Sequence, residues 1–295
     1  KNESISKRII KMAIGYTVLF CDCARSEARM SKANAPTGVM AKAGFSANHL
    51  RKVAADAPPG TAEIVELTPV VPQGTKADDA CVLVLRPNMA DLHKEALKEV
   101  KGMAFDTFTA SRGKVLNAHS RHLVFLGSNG ARAPDPVTGE HTVLDLSTLP
   151  ALNRARTFAT GLLGTEDCVS GCVLKYPDID SCGIGWHGDG ERRQTIIYRV
   201  GSSSTSRPLC FQWYLRGLPI GSPVSIVLNH GDMAIASDKA VGTDWKQKIV
   251  PTLRHATGFL KQGPVPNPTS KSAKAAAKRK LEPDQAVPSP KQQKT

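Results

Sequence analysis

Residues 185–201 read GWHGDGERRQTIIYRVG and pass from a glycine-rich turn into a run of β-branched and aromatic residues. Runs of the same kind recur at residues 208–214, 224–228 and 233–236, with Gly, Pro, Ser or Asn in the turns between them. Short strands at this spacing are typical of an antiparallel sandwich or barrel. The pattern therefore predicts a mainly β fold with flanking helices, an α+β arrangement.

The strand-rich block begins well before residue 185. Residues 80–86 are almost wholly apolar and predict a strand, and Leu92, Ala96 and Val100 then recur at helical spacing with charges between them. Such a stripe predicts an amphipathic helix that packs on a core. We expect one catalytic or binding domain over residues 80–262, which is long enough for a single β domain with a substantial core.

The two flanks of this block differ from it in composition. We expect residues 1–79 to be a flexible basic region, because residues 31–79 are rich in Ala, Lys, Pro and Gly with little periodicity. Residues 8–21 resemble a signal or transit peptide, but the apolar run is too short to span a bilayer and Lys11 interrupts it. We expect residues 263–295 to be a disordered basic tail and the protein to have no membrane partner.

Charge is concentrated in the flanks. Of the net charge of +13, residues 1–60 contribute +6 and residues 263–295 contribute +5. Basic arms add salt-sensitive affinity for phosphate backbones, which favours a nucleic acid partner. Residues 271–281 have the composition of a nuclear-import signal, with a solubilising tail as the alternative. We expect a nuclear monomer, with the cytoplasm as the alternative compartment.

The seven cysteines form no repeated Cys-x-x-Cys pair and complete no zinc-binding spacing. Free buried thiols in a reducing compartment are the expected state.

A candidate metal site lies within the opening stretch. In a strand, residues i and i+2 point to the same face, so His187 and Asp189 can reach one ion, with His255 as a third ligand 66 residues after Asp189. Two histidines and one carboxylate are the facial set of non-haem Fe(II) sites. A surface histidine beside a charged turn is the alternative. His230 competes with His255, but it precedes a Gly-Asp turn, and we assign it a structural hydrogen bond.

The order of these segments resembles the AlkB-like branch of the 2-oxoglutarate- and Fe(II)-dependent dioxygenases, including uncharacterised AlkB-like proteins of giant viruses and algae. The resemblance covers about residues 80–262. The matching segments are residues 173–176 with their tyrosine, His187-Gly188-Asp189, Arg199-Val200-Gly201, Phe211-Gln212-Trp213, Asn229-His230-Gly231-Asp232 and His255.

The resemblance implies a double-stranded β-helix, or jelly roll, that uses Fe(II), 2-oxoglutarate and O₂. The implied activity is hydroxylation of a C–H bond, in the first place on a methylated or alkylated nucleobase of DNA or RNA, as oxidative demethylation or 5-methylpyrimidine oxidation. The alternatives are a protein-directed hydroxylase, a catalytically inactive jelly roll that binds nucleic acid, and a cupin-like zinc or manganese hydrolase or isomerase. Fold alone does not separate these functions.

The residues that would hold 2-oxoglutarate depart from the pattern of the resembling enzymes, which place an arginine after the last histidine. No arginine follows His255 before the tail. Arg199 is the first replacement, because it shares a strand face with Ile197 and a guanidinium binds a carboxylate bidentately; a solvated strand charge is the alternative. Lys261 is the second candidate to bind this carboxylate. Tyr176 retains a hydroxyl that can donate to the co-substrate.

Substrate contacts are expected from two further segments. Asn117, His119 and Arg121 share strand parity within the segment that forms a lid in the resembling enzymes, so they are candidates to line one groove. An exposed basic hairpin is the alternative. Trp245 is a candidate to stack on an extruded base, since enzymes that act on bases must unstack them; the alternative is a tryptophan that plugs the barrel mouth.

Overall fold

The computed structural model describes residues 13–24, 37–111, 114–201 and 207–258. All of them belong to one compact unit of residues 1–260, and they are mainly β. The α-helices are α1 Ala47–Asp56, α2 Ala90–Lys101, α3 Pro150–Leu163 and α4 Asp238–Val241. The strands are β1 Gly15–Cys21, β2 Cys23–Ala24, β3 Thr37–Gly38, β4 Ala62–Glu66, β5 Cys81–Leu85, β6 Phe108–Ser111, β7 Lys114–Asn117, β8 His122–Gly127, β9 Val143–Asp145, β10 Ser170–Tyr176, β11 Gly183–His187, β12 Thr195–Val200, β13 Pro208–Leu215, β14 Leu218–Val227, β15 Met233–Ala236 and β16 Thr252–Gly258.

Two sheets organise these strands. The main sheet has eight strands in the order β4-β5-β15-β12-β1-β10-β8-β9, and all its neighbours are antiparallel except the parallel pair of β8 and β9. The second sheet is antiparallel, with the order β11-β16-β13-β14. Two short pairs, β2 with β3 and β6 with β7, complete the strands of the described residues.

The main sheet buries both of its faces, and strand alternation sorts the side chains between them. On β1, Val18 and Phe20 belong to the core that α1, α2 and α3 cover. Thr17 and Leu19 point the other way and line a cavity. Apolar side chains on both faces explain why β1 reads as a continuous apolar run rather than as a clean alternation.

A second core lies around β5, β13, β15 and β16. Trp213 is its largest fully buried side chain. Its indole Nε1 donates a hydrogen bond of 2.7 Å to the Leu67 carbonyl, so the one polar atom of the ring is satisfied inside the core.

Several predicted elements are confirmed. The strand predicted at residues 80–86 is β5, the helix with Leu92, Ala96 and Val100 on its apolar side is α2, and all three of these side chains are buried. The runs downstream of the His-x-Asp motif are β12 to β15. The structure therefore has the expected mainly β composition with flanking helices.

The expectation of a flexible region over residues 1–79 is wrong for the described residues 13–24 and 37–79. β1 lies at the centre of the main sheet, paired with β10 on one side and β12 on the other. α1 begins after Ser46, whose hydroxyl accepts a 3.1 Å hydrogen bond from the His49 amide. Within the segment that resembles a leader peptide, Gly15–Cys21 form this central strand. The tail at residues 263–295, with its import-signal composition, lies outside the described residues.

All seven cysteines are free and buried, as expected. In the part of the chain that the structure describes, every helix is too short or too polar to cross a bilayer.

Candidate metal centre

The three predicted metal ligands lie together at one point between the sheets. β11 pairs with β16 so that His187 stands opposite His255, with ring centroids 4.4 Å apart. Nε2 of His187 is 3.7 Å from Oδ1 of Asp189, and Nε2 of His255 is 3.7 Å from Oδ2. One donor atom from each residue lies within 4.8 Å of the others, and the described residues hold no second group of three or more His, Cys, Asp or Glu so arranged.

Hydrogen bonds orient both imidazoles. Nδ1 of His187 is 2.8 Å from the Gly185 carbonyl; because a carbonyl only accepts, Nδ1 carries the proton and Nε2 presents its lone pair. His255 bonds to the backbone of Ala240, and burial together with the nearby His187 lowers the pKa of His255 to about 4. The His255 ring is therefore in the neutral form that coordinates metals.

Asp189 is held as a carboxylate. Burial raises the pKa of Asp189, but electrostatic interactions, of which that with the Arg192 guanidinium is the largest, bring the pKa below the usual value. Arg192 places Nε 3.6 Å from Oδ2. The Asp189 amide donates a 3.0 Å hydrogen bond to the Val241 carbonyl, which fixes the backbone just after β11. The site thus combines two imidazoles with one anionic oxygen ligand.

His230 has the structural role predicted for it. Its Nδ1 accepts a 3.2 Å hydrogen bond from the Gly201 amide. Its ring packs edge-on against His93, with centroids 5.9 Å apart. It does not belong to the group formed by His187, Asp189 and His255.

The candidate ligands line a cavity of about 240 Å³ between the two sheets. Its walls are largely apolar, with Leu174 and Ile197 from the main sheet facing Ile184 and Phe211 from the second. Arg199 lines the same cavity as Ile197, so the predicted shared face of these two residues is confirmed.

A cluster of buried donors lies in the wall of this cavity. The Arg207 guanidinium lies over the Tyr176 ring, 4.4 Å from its centroid, and donates through Nη2 to the carbonyls of Ile179 and Cys182. Nε and Nη1 of Arg207 and the hydroxyl of Tyr176 are buried without a hydrogen-bond partner among the described residues. Burial raises the pKa of Tyr176 to about 12, so its hydroxyl keeps its proton. Leaving such donors unpaired costs about 1–3 kcal/mol each, and an anionic ligand would remove this cost.

Arg199 lies beside this cluster, but its guanidinium already donates hydrogen bonds to backbone carbonyls. It is 3% exposed, and its Nη1 donates to the Tyr16 carbonyl and, at 3.3 Å, to the Val200 carbonyl. Burial lowers the pKa of Arg199 to about 10. The structure therefore brings Arg199 and Tyr176 together as predicted and adds Arg207. The predicted second anchor, Lys261, lies outside the described residues.

Arg207 was not predicted from the sequence, although a signal was present. It shares strand parity with Leu209 and Phe211, both of which line the cavity. Side chains alternate between the two faces of a strand, so counting back by twos from Phe211 places Arg207 on the face that lines the cavity. Arg199 lines the same cavity.

The proposed groove of Asn117, His119 and Arg121 is only partly supported. Arg121 lines the cavity, whereas Asn117 and His119 are exposed and do not. β7 ends at Asn117 and β8 begins at His122, so strand parity does not extend through the connection between them. The expectation that all three share one strand face is wrong for that reason.

Trp245 lies behind the metal-binding turn rather than in the cavity wall. A side-chain carbon built on Gly188 would come within 2.7 Å of Trp245 Cβ. Two cations also lie near the indole: the Arg254 guanidinium carbon is 5.3 Å from the ring centroid and the Lys246 ammonium nitrogen is 5.1 Å from it. Trp245 is half-buried and is absent from the cavity lining.

Comparison with known proteins identifies a viral relative of this chain. The sequence matches no known family profile. The uncharacterised protein R156 of Acanthamoeba polyphaga mimivirus is 32% identical over 249 residues, which span 82% of this chain and 94% of the viral protein. The aligned share of both chains is large enough to establish common descent along most of their length. The chain therefore belongs to the same family as this mimivirus protein.

Proposed function

We propose that this protein is an Fe(II)- and 2-oxoglutarate-dependent dioxygenase with a jelly-roll fold that hydroxylates a C–H bond, most directly on a methylated or alkylated nucleobase. The observation that carries the proposal is the convergence of His187, Asp189 and His255 on one wall of a cavity that also holds buried, unpaired donors. Two sheets that enclose a cavity support the jelly-roll assignment.

The residues of the metal site fit Fe(II). Two imidazole nitrogens and one carboxylate oxygen are the ligand set of non-haem Fe(II) oxygenases, and the site lacks the thiolates of structural zinc sites. The carbonyl of Gly185 and the backbone of Ala240 orient the two rings, as outer partners of metal-binding histidines do.

The donor cluster fits one carboxylate of 2-oxoglutarate. Nε and Nη1 of Arg207 and the Tyr176 hydroxyl supply three proton donors with no acceptor among the described residues, and Arg199 adds positive charge beside them. Because guanidinium groups bind carboxylates through paired hydrogen bonds, this cluster can fix one end of a dicarboxylate inside the cavity that the metal ligands also line.

When bound together, Fe(II), 2-oxoglutarate and O₂ supply an oxidant that converts a substrate C–H bond to C–OH while the co-substrate loses CO₂ and becomes succinate. The chain contributes binding, orientation and exclusion of water. Leu174, Ile197, Ile184 and Phe211 keep the space beside the ligands apolar, which limits competing reactions with solvent.

The charge of the cavity supports an anionic substrate. Four arginines line it, Arg121, Arg192, Arg199 and Arg207, against the two carboxylates of Asp189 and Glu191. A dicarboxylate would engage Arg199 and Arg207 and leave Arg121 available for a nucleotide phosphate. A base taken out of its stack could then enter the cavity.

Metal binding provides the first test of the proposal. Anaerobic titration of the wild-type protein with Fe(II) should show one site, which His187→Ala should lose. Equal binding by both proteins would refute the metal centre and leave a non-enzymatic binding protein as the better interpretation.

The reaction itself is tested with pools of methylated oligonucleotides incubated with Fe(II), 2-oxoglutarate and ascorbate and then analysed by mass spectrometry. We expect products altered by loss of a methyl group or gain of oxygen, accompanied by succinate, in air only. Turnover that persists without O₂ would instead indicate a metal-dependent hydrolase or isomerase.

A further inference from the structure

Asp22 lies between β1 and β2 and is completely buried. Its Oδ2 accepts hydrogen bonds of 2.7 Å from the Ala41 amide and 3.0 Å from the Arg193 amide, and its Oδ1 accepts one of 3.3 Å from the Gln194 amide. Both carboxylate oxygens are therefore engaged by backbone N–H groups. This arrangement suits a carboxylate better than an amide side chain, which offers a single accepting oxygen.

Two of these amides belong to the connection that carries a candidate metal ligand. Asp189 follows β11, and the chain then leads through Arg193 and Gln194 into β12. At the start of this connection the Asp189 amide donates to the Val241 carbonyl, and at its end the amides of Arg193 and Gln194 donate to Asp22. Asp189 thus lies in a segment that is anchored at both ends, and Asp22 supplies the second anchor.

A side-chain contact joins the end of β1 to the same connection. Nη1 of Arg192 donates a hydrogen bond of 3.7 Å to Sγ of Cys21, the residue before Asp22. Nε of the same buried guanidinium is 3.6 Å from Oδ2 of Asp189. Cys21 also pairs with Thr195, the first residue of β12. The end of β1 therefore reaches the segment of Asp189 through both backbone and side-chain contacts.

We propose that Asp22 is a positioning residue that holds the segment of Asp189 in the geometry needed for metal binding. The inference rests on the proposed metal centre and extends that centre to the N-terminal strand. Removal of outer partners of metal ligands commonly weakens metal binding about 10- to 100-fold. Because Asp22 acts on Asp189 through backbone amides rather than by direct contact, we expect an effect near the lower end of this range.

The test compares two buried carboxylates in the full-length protein. Asp22→Asn keeps the size of the side chain but replaces one accepting oxygen with an NH₂ group, which would face an amide donor. The matched control is Asp106→Asn. Asp106 is also buried and accepts hydrogen bonds of 2.7 Å from the Thr142 amide and 2.8 Å from the Thr142 hydroxyl, so it anchors the chain before β9 instead of the segment of Asp189.

Three measurements are made on each protein. Anaerobic calorimetry with Fe(II) gives the affinity, the visible absorption of bound Co(II) reports the ligand geometry, and urea denaturation of metal-free protein gives the stability. We expect Asp22→Asn to raise the Kd for Fe(II) roughly tenfold and to change the Co(II) spectrum. Asp106→Asn should also lose stability but keep the wild-type Kd and spectrum. Wild-type values of both in Asp22→Asn, or equal losses in the two variants, would overturn the proposal.

A measurement on the wild-type protein covers the case in which Asp22→Asn does not fold. Because coupling between two sites is reciprocal, a bound metal should stabilise the hydrogen bonds that Arg193 and Gln194 make to Asp22. Hydrogen exchange with and without saturating Co(II) measures their local opening. Both amides should exchange more slowly with Co(II), by a larger factor than the Thr142 amide, which bonds to Asp106.

The outcomes of these experiments separate this inference from the proposed function. If Co(II) slowed exchange at Arg193 and Gln194 no more than at Thr142, Asp22 would be a structural residue and the proposal wrong, although the metal centre would stand. If the wild-type protein bound neither Fe(II) nor Co(II), the metal centre itself would be refuted, and this inference with it.

Discussion

Trp245 occupies the space that a side chain at position 188 would need. A Cβ added to Gly188 would lie 2.7 Å from Trp245 Cβ and 2.2 Å from the carbonyl oxygen of Gly242. The glycine between His187 and Asp189 is thus required by the loop packed behind it, and any side chain there would move the turn that carries both ligands.

We therefore predict that Gly188→Ala damages the metal centre. Overpacking of this kind costs about 1–3 kcal/mol, and the displaced turn should weaken Fe(II) affinity at least roughly tenfold, which is about 1.4 kcal/mol. Isothermal titration with Fe(II) under anaerobic conditions and urea denaturation measure the two effects.

Gly185→Ala is the matched control for this prediction. A Cβ at Gly185 would meet nothing within 4 Å, and the alanine keeps the carbonyl that accepts from His187. Its metal affinity should equal that of the wild type. Similar losses in the two variants would show that the close approach of Trp245 is unimportant.

Arg207 is predicted to be the main carboxylate anchor. Arg207→Met should weaken 2-oxoglutarate binding about 10- to 100-fold, because charge-assisted hydrogen bonds contribute about 1.5–3 kcal/mol. Arg207→Lys should restore only part of the affinity, since an ammonium cannot reproduce the guanidinium fork. Calorimetric titration of the Fe(II)-loaded protein with 2-oxoglutarate provides the measurement.

Two further variants make this result specific. Arg154→Met removes an exposed arginine on α3 and should leave affinity unchanged. Arg199→Ala should have a smaller effect than Arg207→Met, because Arg199 is already bonded to backbone carbonyls. If Arg199→Ala weakened 2-oxoglutarate binding more than Arg207→Met did, Arg199 would be the main carboxylate anchor.

Much of the candidate site could be predicted because strand parity is local. The period of two places Arg199 on the face of Ile197, and this relation holds in the structure. His187 and Asp189 also lie together as predicted, although β11 ends at His187 and Asp189 follows it. Arg207 was missed because its role depends on which strands of the second sheet face Tyr176, and that is a property of the sheet pairing. The position of Trp245 behind Gly188 has the same non-local origin.

The N-terminal part of the fold was misinterpreted for a related reason. β1 is apolar on both faces because helices cover one face and the cavity lies on the other, so it lacks the alternation of an exposed strand. Its partners β10 and β12 lie about 150 residues or more further along the chain. No local pattern reports such a pairing.

Because β1 is a central strand, its buried side chains should contribute strongly to the stability of the fold. Phe20 is fully buried in β1 and its ring lies 6.4 Å from that of Tyr198. Phe20→Ala should reduce the free energy of unfolding by about 3–5 kcal/mol. Val39→Ala, at an 83% exposed position in the same region, should be nearly neutral. Chemical denaturation measures the free energy of unfolding of both variants. If Phe20→Ala left this free energy unchanged, the expectation of a flexible segment would be supported.

His230 should make stability depend on pH. Burial, with the nearby His93 and Arg199, lowers the pKa of His230 below its usual value of 6.5. The unfolded chain therefore binds a proton at a pH where the folded chain does not, so the contribution of His230 is complete above pH 6.5 and is lost as the pH falls below it. Protonation would also remove the lone pair that accepts from the Gly201 amide.

Urea denaturation at pH 7.5 and pH 5.5 tests this prediction with metal-free protein. His230→Gln should lose less stability between the two pH values than the wild type does, whereas His119→Gln, at an exposed position, should follow the wild type. Some pH dependence should persist in His230→Gln, because burial also lowers the pKa of His122. An unchanged pH dependence in His230→Gln would show that its imidazole is equally easy to protonate in the folded and unfolded chains, in conflict with its buried contact to His93.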